Sequence, residues 1–424
     1  MNINRRRFIE LSSALAGSSV LMSSVPWLSV FQNAEPSGKN PSDRVRLGFV
    51  GVGNRGSTLL LNVKDFADRL NVDIVAVCDN YEPHYQDAIR LTDGNAEAFY
   101  DYREMFDRVE MDAVVIATPL NVHAGPTVAA FEAGVHVFCE KAMARTLDDT
   151  RLMYDKHIEH DKIMLIGHQR LFSPVYLEAM DRIRKGVYGP ITMMKGHWHR
   201  NTDWVFYDYT EPGSALDRQL NWRLYKETSA GMITELLSHH LQISNWVLGQ
   251  QPSYVLGSGS INFWKDHREV WDNFSLVFHY PDGTHFEYSC LQSNKHNGMQ
   301  IQALGNKGMV DLEINKQFFE DPPAPPAIRE MLHNIESSIF DTIPIGGATW
   351  VPAEPVAYGG EFISDEWEMN ETQLYLEAFV EYVRKGRAPE ELTLEGYNAS
   401  TWSLLAEEAT MTGEKVTLPE QYLV

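Results

Sequence analysis

Five short apolar runs alternate with amphipathic stretches between residues 45 and 166, and this alternation limits how the chain can fold. The runs are nearly continuous in apolarity and rich in β-branched side chains, which is typical of strands buried on both faces. They cover residues 45–50, 73–78, 113–117, 135–139 and 163–166, with helical patterns between them. This order predicts an α/β fold with a doubly wound parallel sheet.

The pattern changes after residue 190, where longer strand-like segments and hairpin turns such as Pro281-Asp282-Gly283 follow one another. They predict a second, α+β domain with an open, largely antiparallel sheet. We predict one long helix over residues 230–248, two closing helices near 371–385 and 394–412, and a Pro- and Gly-rich surface excursion over 321–360. The predicted domains are residues 45–168 and 169–424.

Residues 1–44 are interpreted as an export signal and linker. The sequence Asn-Arg-Arg-Arg-Phe-Ile at residues 4–9 precedes a mildly apolar stretch, which resembles a twin-arginine export signal. The alternatives are an ordinary signal peptide or a disordered basic tail. The apolar stretch is too short, and too rich in Ser and Gly, to span a bilayer. We therefore expect a periplasmic or otherwise exported protein.

The charge balance excludes some partners. The chain has 36 Lys and Arg residues against 58 Asp and Glu residues, a formal charge of −22. Such a surface repels phosphate backbones and anionic lipids, so we expect neither nucleic acid nor a membrane surface as a partner. Any anionic ligand has to be held by a local arrangement. The three cysteines are widely spaced, predicting buried core residues without a disulfide.

A glycine-rich turn follows the first apolar run. The sequence Gly51-Val52-Gly53-Asn54-Arg55-Gly56 joins that run to a helical stretch, the context in which GxGxxG binds a dinucleotide. Gly51 permits the tight turn, Gly53 lets the backbone approach a pyrophosphate, and Gly56 lets helix and strand pack closely. Asp79 ends the second run, where a carboxylate binds ribose hydroxyls and repels a 2′-phosphate. NAD is therefore favoured over NADP.

Polar residues follow two later strands. Thr118 and Pro119 end one strand, with His123 just beyond, and Glu140 and Lys141 end the next. In open α/β sheets, ligands bind outside these strand ends. We therefore predict that all five residues contact the cofactor, and that the charge of Lys141 helps a neighbouring hydroxyl lose its proton.

The predicted helix over 230–248 is apolar on most sides and carries one narrow polar stripe. Glu235, His239, Gln242 and Trp246 fall within an arc about 60° wide at 100° per residue. Because Glu235 and His239 are i,i+4 partners, the carboxylate is expected to orient the imidazole and raise its basicity. His239 is the predicted catalytic base; the alternative is a satisfied core histidine.

These motifs, in this order, resemble the Gfo/Idh/MocA oxidoreductases, the relatives of glucose–fructose oxidoreductase and inositol dehydrogenase. The resemblance covers roughly residues 46–419. It implies a nicotinamide-binding Rossmann domain followed by an open-faced sheet domain. It also implies that Lys141 and His239 face the reacting hydroxyl, with Glu235 at a position that is usually Asp.

The sequence departs from the family pattern at three positions. Ala142 replaces the proline of Glu-Lys-Pro, and a non-proline cis bond costs about 3 kcal/mol, so we expect no cis bond there. Gln242 replaces an acid three residues after the histidine, which removes a potential metal ligand or proton acceptor. Leu237 replaces a glycine and is expected to narrow the pocket.

A cluster of aromatic and polar residues predicts a sugar site. Trp198, Arg200, Trp222 and Arg223 combine indole faces, which suit sugar C–H groups, with fixed donors for hydroxyls. We assign these four residues, with Gln242, to substrate binding. The alternative is tryptophan at an edge strand or a subunit contact. His197 and His199 share a strand face, but two histidines alone do not make a metal site, and no metal is expected.

Residues and resemblance together predict an NAD-dependent dehydrogenase that oxidises a secondary hydroxyl of a sugar or glycoside, with C3 among the candidate carbons. His239 removes the hydroxyl proton and Lys141 stabilises the alkoxide. Export indicates a cofactor that stays bound and is recycled, because free NAD is scarce outside the cytoplasm. We expect a small-molecule sugar or glycoside as the ligand and a homo-oligomer formed through the C-terminal sheet.

Two other functions stay open. An NAD-dependent glycosidase would oxidise the sugar transiently, eliminate the glycosidic bond and restore the cofactor. It needs a second base, for which Glu235, His197, His199 and Tyr225 are the candidates. The intact Glu140-Lys141 pair favours the dehydrogenase. The third possibility is a sugar-binding relative without catalysis.

Overall fold

The computed structural model describes residues 43–319, 331, 360–365 and 369–424. Apart from a few residues, the predicted export signal and the Pro- and Gly-rich excursion lie outside this part of the chain. No helix within it is long and apolar enough to cross a membrane. Cys78, Cys139 and Cys290 are buried, as predicted, and each is a free thiol.

The first domain is a six-stranded sheet in the order β3-β2-β1-β4-β5-β6, and every neighbouring pair is parallel. This confirms the doubly wound α/β fold. The third strand was not predicted, because it is only three residues long and its first residue is exposed. The strands are β1 (Val45–Val50), β2 (Val72–Cys78), β3 (Glu97–Phe99), β4 (Ala113–Ile116), β5 (His136–Cys139) and β6 (Met164–Ile166).

Helices cover both faces of this sheet. The first of them follows the glycine-rich turn directly and buries one apolar face, including Leu59, Val63 and Phe66, against the strands. The helices are α1 (Asn54–Leu70), α2 (Glu82–Leu91), α3 (Tyr102–Arg108), α4 (Ala124–Glu132) and α5 (Leu147–Glu159). Because each helix returns the chain to the same end of the sheet, the loops after the strands gather at one edge.

The second domain is an eight-stranded sheet in the order β14-β13-β12-β11-β7-β10-β9-β8. It is antiparallel except for the β7–β10 pair, so the predicted open sheet is confirmed as mixed and largely antiparallel. The strands are β7 (Ile191–His199), β8 (Tyr254–Ser260), β9 (Asn273–His279), β10 (His285–Leu291), β11 (Met299–Gly305), β12 (Gly308–Asp311), β13 (Lys316–Phe319) and β14 (Glu361–Phe362).

The helices of this domain differ from the prediction at one important place. They are α6 (Pro174–Arg184), α7 (Ala215–Leu220), α8 (Ser238–Leu248), α9 (Glu371–Lys385) and α10 (Glu390–Thr412). The helix predicted over 230–248 is not uniform, because a π-helical turn at Ile233–Leu237 precedes α8. Such a turn widens the helix and shifts the angular position of every later side chain. The helices α6 and α7 were not predicted.

The closing helix α10 joins the two domains. It packs on α8 and β8 of the second domain and on α5 and β6 of the first. Gly396 allows this contact, since a Cβ there would lie 2.5 Å from side-chain atoms of Ile166. The hydroxyl of Ser400 accepts a hydrogen bond from the Met143 backbone N–H, 2.8 Å away. The strand ends of the first sheet therefore face one face of the second sheet across a cleft.

Candidate active site

The cleft between the domains holds a cavity of about 320 Å³. Its first wall is formed by the residues after β1, β2, β4, β5 and β6. Its second wall is formed by the end of β7, the segment after β7, the π-helical turn and the start of α8. Most of the predicted site residues line it: Gly51, Gly53, Asn54, Arg55, Asp79, Thr118, Pro119, His123, Glu140, Lys141, Trp198, Arg200, Trp222, Arg223, Glu235 and His239. Of the predicted site residues, only Gly56 and Gln242 do not.

The glycine-rich turn has the geometry that its sequence predicts. Gly51 has a φ of +84°, and a Cβ there would lie 2.7 Å from backbone atoms of Ala117 and Thr118. A Cβ on Gly56 would lie 1.9 Å from the Gly51 carbonyl oxygen, so Gly56 supports the turn from behind. The N-terminus of α1 opens towards the cavity beside Gly53. This cradle fits a pyrophosphate.

Asp79 both lines the cavity and shapes the turn. Its carboxylate accepts hydrogen bonds from the backbone N–H groups of Val52 at 2.8 Å and Tyr81 at 2.9 Å. The His84 ring lies close, with Nδ1 3.5 Å from Asp79 Oδ2. The carboxylate is thus fixed at the end of β2, where its charge would repel the 2′-phosphate of NADP.

The remaining residues of the first wall are tied to one another. Arg55 donates from Nε to Glu140 at 2.7 Å, which neutralises that carboxylate. The His123 ring lies within 3.1 Å of the carbonyl oxygens of Thr118, Ala142 and Met143, so it holds the ends of β4 and β5 together rather than facing a ligand freely. The Thr118 hydroxyl is buried without a hydrogen-bond partner among the described residues.

The expectation for Ala142 was wrong, because the Lys141–Ala142 peptide bond is cis. The segment is buried and held from two sides. His123 lies within hydrogen-bond distance of the Ala142 carbonyl, and Ser400 receives the next backbone N–H. Tertiary contacts of this kind set the local conformation against the intrinsic preference of a non-proline residue.

Glu235 pairs with two cations, Lys141 from the first wall and Arg223 from the second. Its Oε2 accepts from Arg223 Nε at 2.9 Å and from Lys141 Nζ at 3.3 Å. Burial alone would raise the pKa of Glu235, but the charges of Lys141 and Arg223 outweigh it and hold the pKa below its ordinary value. Lys141 thus reaches the cavity with its ammonium group fixed by a carboxylate from the second domain.

His239 lies beside this ion pair and is only 6% exposed. Its ring is 6.2 Å from the Trp198 ring and 5.6 Å from the His168 ring, measured between centroids. Its buried Nδ1 has no hydrogen-bond partner among the described residues. Burial, followed by the charges of Arg170 and Lys141, holds the pKa of His239 well below its usual range. The imidazole is therefore neutral near pH 7 and able to accept a proton.

Two predictions on the polar stripe were wrong. Glu235 does not orient His239, because two cations offer it charge-assisted hydrogen bonds and the π-helical turn separates the two residues. Gln242 does not contact the cavity either. Its Nε2 donates to Glu395 of α10 at 3.1 Å, since α8 packs against α10 on that side. Glu235 and His239 therefore line the cavity, whereas Gln242 packs against α10.

Aromatic rings form much of the second wall. The guanidinium carbon of Arg223 lies 4.1 Å from the Trp222 ring and 5.3 Å from the Phe206 ring. The guanidinium carbon of Arg200 lies 5.1 Å from the Trp198 ring. Flat apolar faces with fixed cations between them suit a polyhydroxylated ligand.

Ten cavity residues were not predicted from the sequence, among them His84, Gln169, Phe206 and Tyr207. Gln169 follows the end of β6, so the rule about strand ends was sufficient to find it. Tyr207 lies in an irregular segment, and its hydroxyl is 2.9 Å from His84 Nε2. No sequence pattern signals that contact.

Neither His197 nor His199 lines the cavity, because side chains alternate along β7 and Trp198 and Arg200 face it instead. His197 Nε2 lies 3.1 Å from the Asn297 carbonyl, and His199 Nε2 lies 3.1 Å from the Ser289 hydroxyl. Within the described part of the chain, no group of three or more His, Cys, Asp or Glu side chains is arranged to hold a metal ion.

Comparisons with known proteins agree with this geometry. Residues 45–168 match the model of the Gfo/Idh/MocA oxidoreductase family, NAD-binding Rossmann fold, and residues 176–311 match the model of the Gfo/Idh/MocA C-terminal domain. A glycosyl hydrolase family 109 protein of Shewanella pealeana is 26% identical over 249 residues, which are 54% of this chain and 52% of that protein. A levoglucosan dehydrogenase of Pseudarthrobacter phenanthrenivorans is 28% identical over 151 residues, 35% of this chain and 36% of that protein. The chain thus spans about half the length or less of these two relatives.

Solved structures share the fold at low identity. A dehydrogenase from Chromobacterium violaceum, solved with NADH and UDP-GlcNAcA, has a TM-score of 0.68 and 19% identity, with 92% of this chain and 99% of that chain covered. A levoglucosan dehydrogenase solved with NADH has a TM-score of 0.66 and 18% identity, with 89% and 99% covered. The two family models together match more than half of the chain. The chain therefore belongs to the Gfo/Idh/MocA oxidoreductase family.

Proposed function

We propose that this protein is an NAD-dependent dehydrogenase that oxidises a secondary hydroxyl of a sugar or glycoside. The observation that carries the proposal is that Lys141 and His239, from different domains, line one cavity together with the glycine-rich turn. The turn, the N-terminus of α1 and Asp79 are the groups that would hold NAD. When bound there, NAD supplies the hydride acceptor.

The chain's own residues supply the acid–base chemistry. His239 is neutral near pH 7 and takes the hydroxyl proton, and its low pKa keeps it competent in mildly acidic solution. Lys141 stabilises the developing alkoxide with a charge that Glu235 holds in place. Trp198, Trp222 and Arg223 orient the ring of the sugar.

The glycosidase is the second candidate, supported by the family 109 relatives. It needs a second base next to the new carbonyl. Of the four residues considered, only Glu235 lines the cavity, and its Oε2 already pairs with two cations. Tyr225 donates its hydroxyl to Asp217, and burial, followed by that hydrogen bond, raises its pKa to about 12. This arrangement favours the dehydrogenase. A sugar-binding protein without catalysis leaves the placement of Lys141 and His239 in one cavity unexplained.

One experiment separates these functions. The purified protein is incubated with NAD and a panel of glycosides in D₂O, and products are read by absorbance at 340 nm and by mass spectrometry. A dehydrogenase forms NADH and a keto-sugar with the glycosidic bond intact. Release of the aglycone, with deuterium incorporated and no keto product, would overturn the proposal in favour of the glycosidase. Binding of a glycoside without either product would support the non-catalytic alternative.

We also propose that residues 1–44 direct export and that NAD leaves the cytoplasm bound to the folded protein. The Arg-Arg-Phe-Ile sequence near the start supports this, together with a cofactor cradle that is lined by residues of both domains. Fractionation of the producing cells, followed by mass spectrometry of the protein for bound NAD, tests it. Protein retained in the cytoplasm, or free of NAD after purification, would contradict it.

Self-association through the second sheet is a further part of the proposal. Large apolar side chains on its strands are exposed, among them Leu256, Phe319 and Phe362. Light scattering on the eluting protein gives the oligomeric state, and a monomer at micromolar concentration would contradict it.

A further inference from the structure

Arg200 stands apart from the other cations of the cavity. Arg55 is paired with Glu140, and Lys141 and Arg223 share Glu235. The Arg200 guanidinium has no ion pair and no side-chain hydrogen bond with any described residue. The Trp198 ring lies 5.1 Å from its central carbon, and Tyr288 and Cys290 are also close enough to interact with its charge. Arg200 nevertheless lines the cavity. A guanidinium in such a place is able to bind a ligand.

The position of Arg200 assigns it to the sugar rather than to the cofactor. It follows β7 in the second domain, on the same strand face as Trp198, whose ring lies 6.2 Å from that of His239. The glycine-rich turn lies on the opposite wall and has its own cation in Arg55. Arg200 therefore lies on the wall assigned to the substrate, where Trp198 neighbours both Arg200 and the proposed base.

The charge balance of the cavity is positive. Its lining has one more cation than carboxylates: Arg55, Lys141, Arg200 and Arg223 against Asp79, Glu140 and Glu235, and His239 is neutral near pH 7. This local excess contrasts with the formal charge of −22 on the whole chain. Burial lowers the pKa of Arg200, so the protein spends free energy to keep an unpaired charge there. An anion from the ligand would compensate that cost.

We propose that the substrate is a sugar or glycoside that carries a carboxylate, and that Arg200 binds this carboxylate. The proposal rests on the proposed sugar site. A carboxylate fits better than a phosphate ester because a single guanidinium is free, and the planar fork of arginine pairs two N–H groups with the two oxygens of one carboxylate. Trp198, which lies under the guanidinium, would fix the plane of that pairing.

The test is equilibrium binding to protein loaded with NADH, which does not depend on turnover. Calorimetry compares methyl glucoside, methyl glucuronide and methyl glucoside 6-phosphate, with the corresponding galactose set alongside. We expect the uronide of at least one set to bind about tenfold to a hundredfold more tightly than its neutral partner. Arg200→Gln should remove that difference, because it weakens the binding of the uronide at least tenfold more than the binding of the neutral glycoside.

Two further variants keep the result interpretable. Lys195→Gln removes one positive charge from the same strand, outside the cavity, and should leave every affinity within twofold. Arg200→Lys keeps the charge without the fork and should retain part of the preference for the uronide. Thermal unfolding, measured first, reports whether each variant is folded, and NADH affinity is then measured separately.

Four results would overturn the proposal. In the wild-type protein, these are equal affinity for the uronide and the neutral glycoside, including no binding of either, and a higher affinity for the 6-phosphate than for the uronide. In Arg200→Gln, they are an equal loss of affinity for all sugars, and weaker NADH binding, which would place Arg200 in the cofactor site. Failure of the dehydrogenase function looks different. A uronide preference that depends on Arg200, without NADH formation from NAD and any uronide, would support the carboxylate site and contradict the activity.

Discussion

The two walls of the cavity are built in different ways. The first wall consists of backbone turns and strand ends, and its ionised groups are already satisfied: Arg55 pairs with Glu140, and Asp79 accepts two backbone hydrogen bonds. The second wall consists of side chains from separate segments, and its ionisable groups keep atoms without partners among the described residues, namely His239 Nδ1 and Glu235 Oε1. The unpartnered Thr118 hydroxyl of the first wall is not ionisable. A preformed wall suits a ligand that stays bound, and a wall with unused polar groups suits one that reacts and leaves.

The largest expected effect comes from the second wall. Replacing His239 with Asn should lower turnover by about 10²–10⁴-fold, the usual contribution of a positioned general base. NAD affinity should stay within a few fold, because the first wall is unchanged. Steady-state kinetics on the best substrate and calorimetry with NAD measure the two effects. His197→Asn, on the opposite face of β7, is the control and should retain its rate. Near-normal turnover in the His239 variant would remove the residue from catalysis.

The pH profile tests the same residue without a mutation. Because the pKa of His239 is held well below the ordinary value, the imidazole stays neutral as the pH falls through 6.5. The value of kcat/KM should therefore show no loss attributable to His239 between pH 8 and pH 6, and its acid limb should lie below the ordinary histidine range. An acid limb near pH 6.5 that disappears in His239→Asn would contradict the assigned environment.

Substitutions in the first wall should weaken NAD binding by changing the backbone of the glycine-rich turn. Gly56→Ala places a Cβ 1.9 Å from the Gly51 carbonyl oxygen, so the turn has to move. We expect a loss of stability of about 1–3 kcal/mol and NAD binding weakened at least tenfold. Gly125→Ala, in α4, is the matched control, since its Cβ would meet the end of the Tyr102 side chain, at 3.0 Å, and no backbone atom. Thermal unfolding with and without NAD measures both variants, and equal behaviour of the two would refute this role of Gly56.

The carboxylate at the end of β2 should contribute less. Asp79→Ala is expected to weaken NAD binding by about 1–3 kcal/mol, because both a charged acceptor and a support of the turn are lost. The ratio of NADP to NAD affinity should rise. Asp73→Ala, at the other end of the same strand and paired with exposed Arg44, is the control. Unchanged calorimetric affinity for NAD in the Asp79 variant would place this carboxylate outside the cofactor site.

The smallest effect concerns the far side of α8. Burial raises the pKa of Glu395 to about 7, against the hydrogen bond from Gln242 that lowers it. The folded protein thus binds more protons than the unfolded chain between about pH 4.5 and 7, and stability falls as the pH rises through that window.

Glu395→Gln should remove this dependence and raise stability by about 1–3 kcal/mol at pH 8 relative to pH 5. Its KM for the sugar should not change, since Gln242 and Glu395 do not line the cavity. Denaturant unfolding at the two pH values measures the effect. Glu391→Gln, exposed on the same helix, is the control. A variant with the wild-type pH dependence would contradict the raised pKa.

The two walls also differ in how far the sequence predicts them. Gly51, Gly56, Lys141 and the strand ends follow from local sequence and from the rule that parallel strands end at one edge. The second wall depends on distant contacts. Tyr207 reaches His84 from an irregular segment, and Gln242 turns to Glu395 because a π-helical turn breaks the helical period. The aromatic cluster around Trp198 was recognised from its composition, but not the missing ion pair of Arg200.

The cis bond after Lys141 illustrates the same limit within the first wall. The sequence shows alanine where a cis bond is intrinsically unfavourable, and only the contacts made by His123 and Ser400 reveal how the segment is held. Residue type predicts the chemistry available at a position, whereas tertiary contacts decide the backbone that presents it.

The most direct test is whether deuterium passes from a carbon of the bound sugar to the nicotinamide of NAD. A sugar that calorimetry shows to bind is prepared with deuterium on the carbon of each secondary hydroxyl in turn, and incubated with stoichiometric protein and NAD. Mass spectrometry of the extracted cofactor should show a reduced nicotinamide that is one mass unit heavier for one labelled position, and this transfer should be lost in His239→Asn. Reduced cofactor without the label from any position, or no reduced cofactor from sugars that bind, would contradict the account.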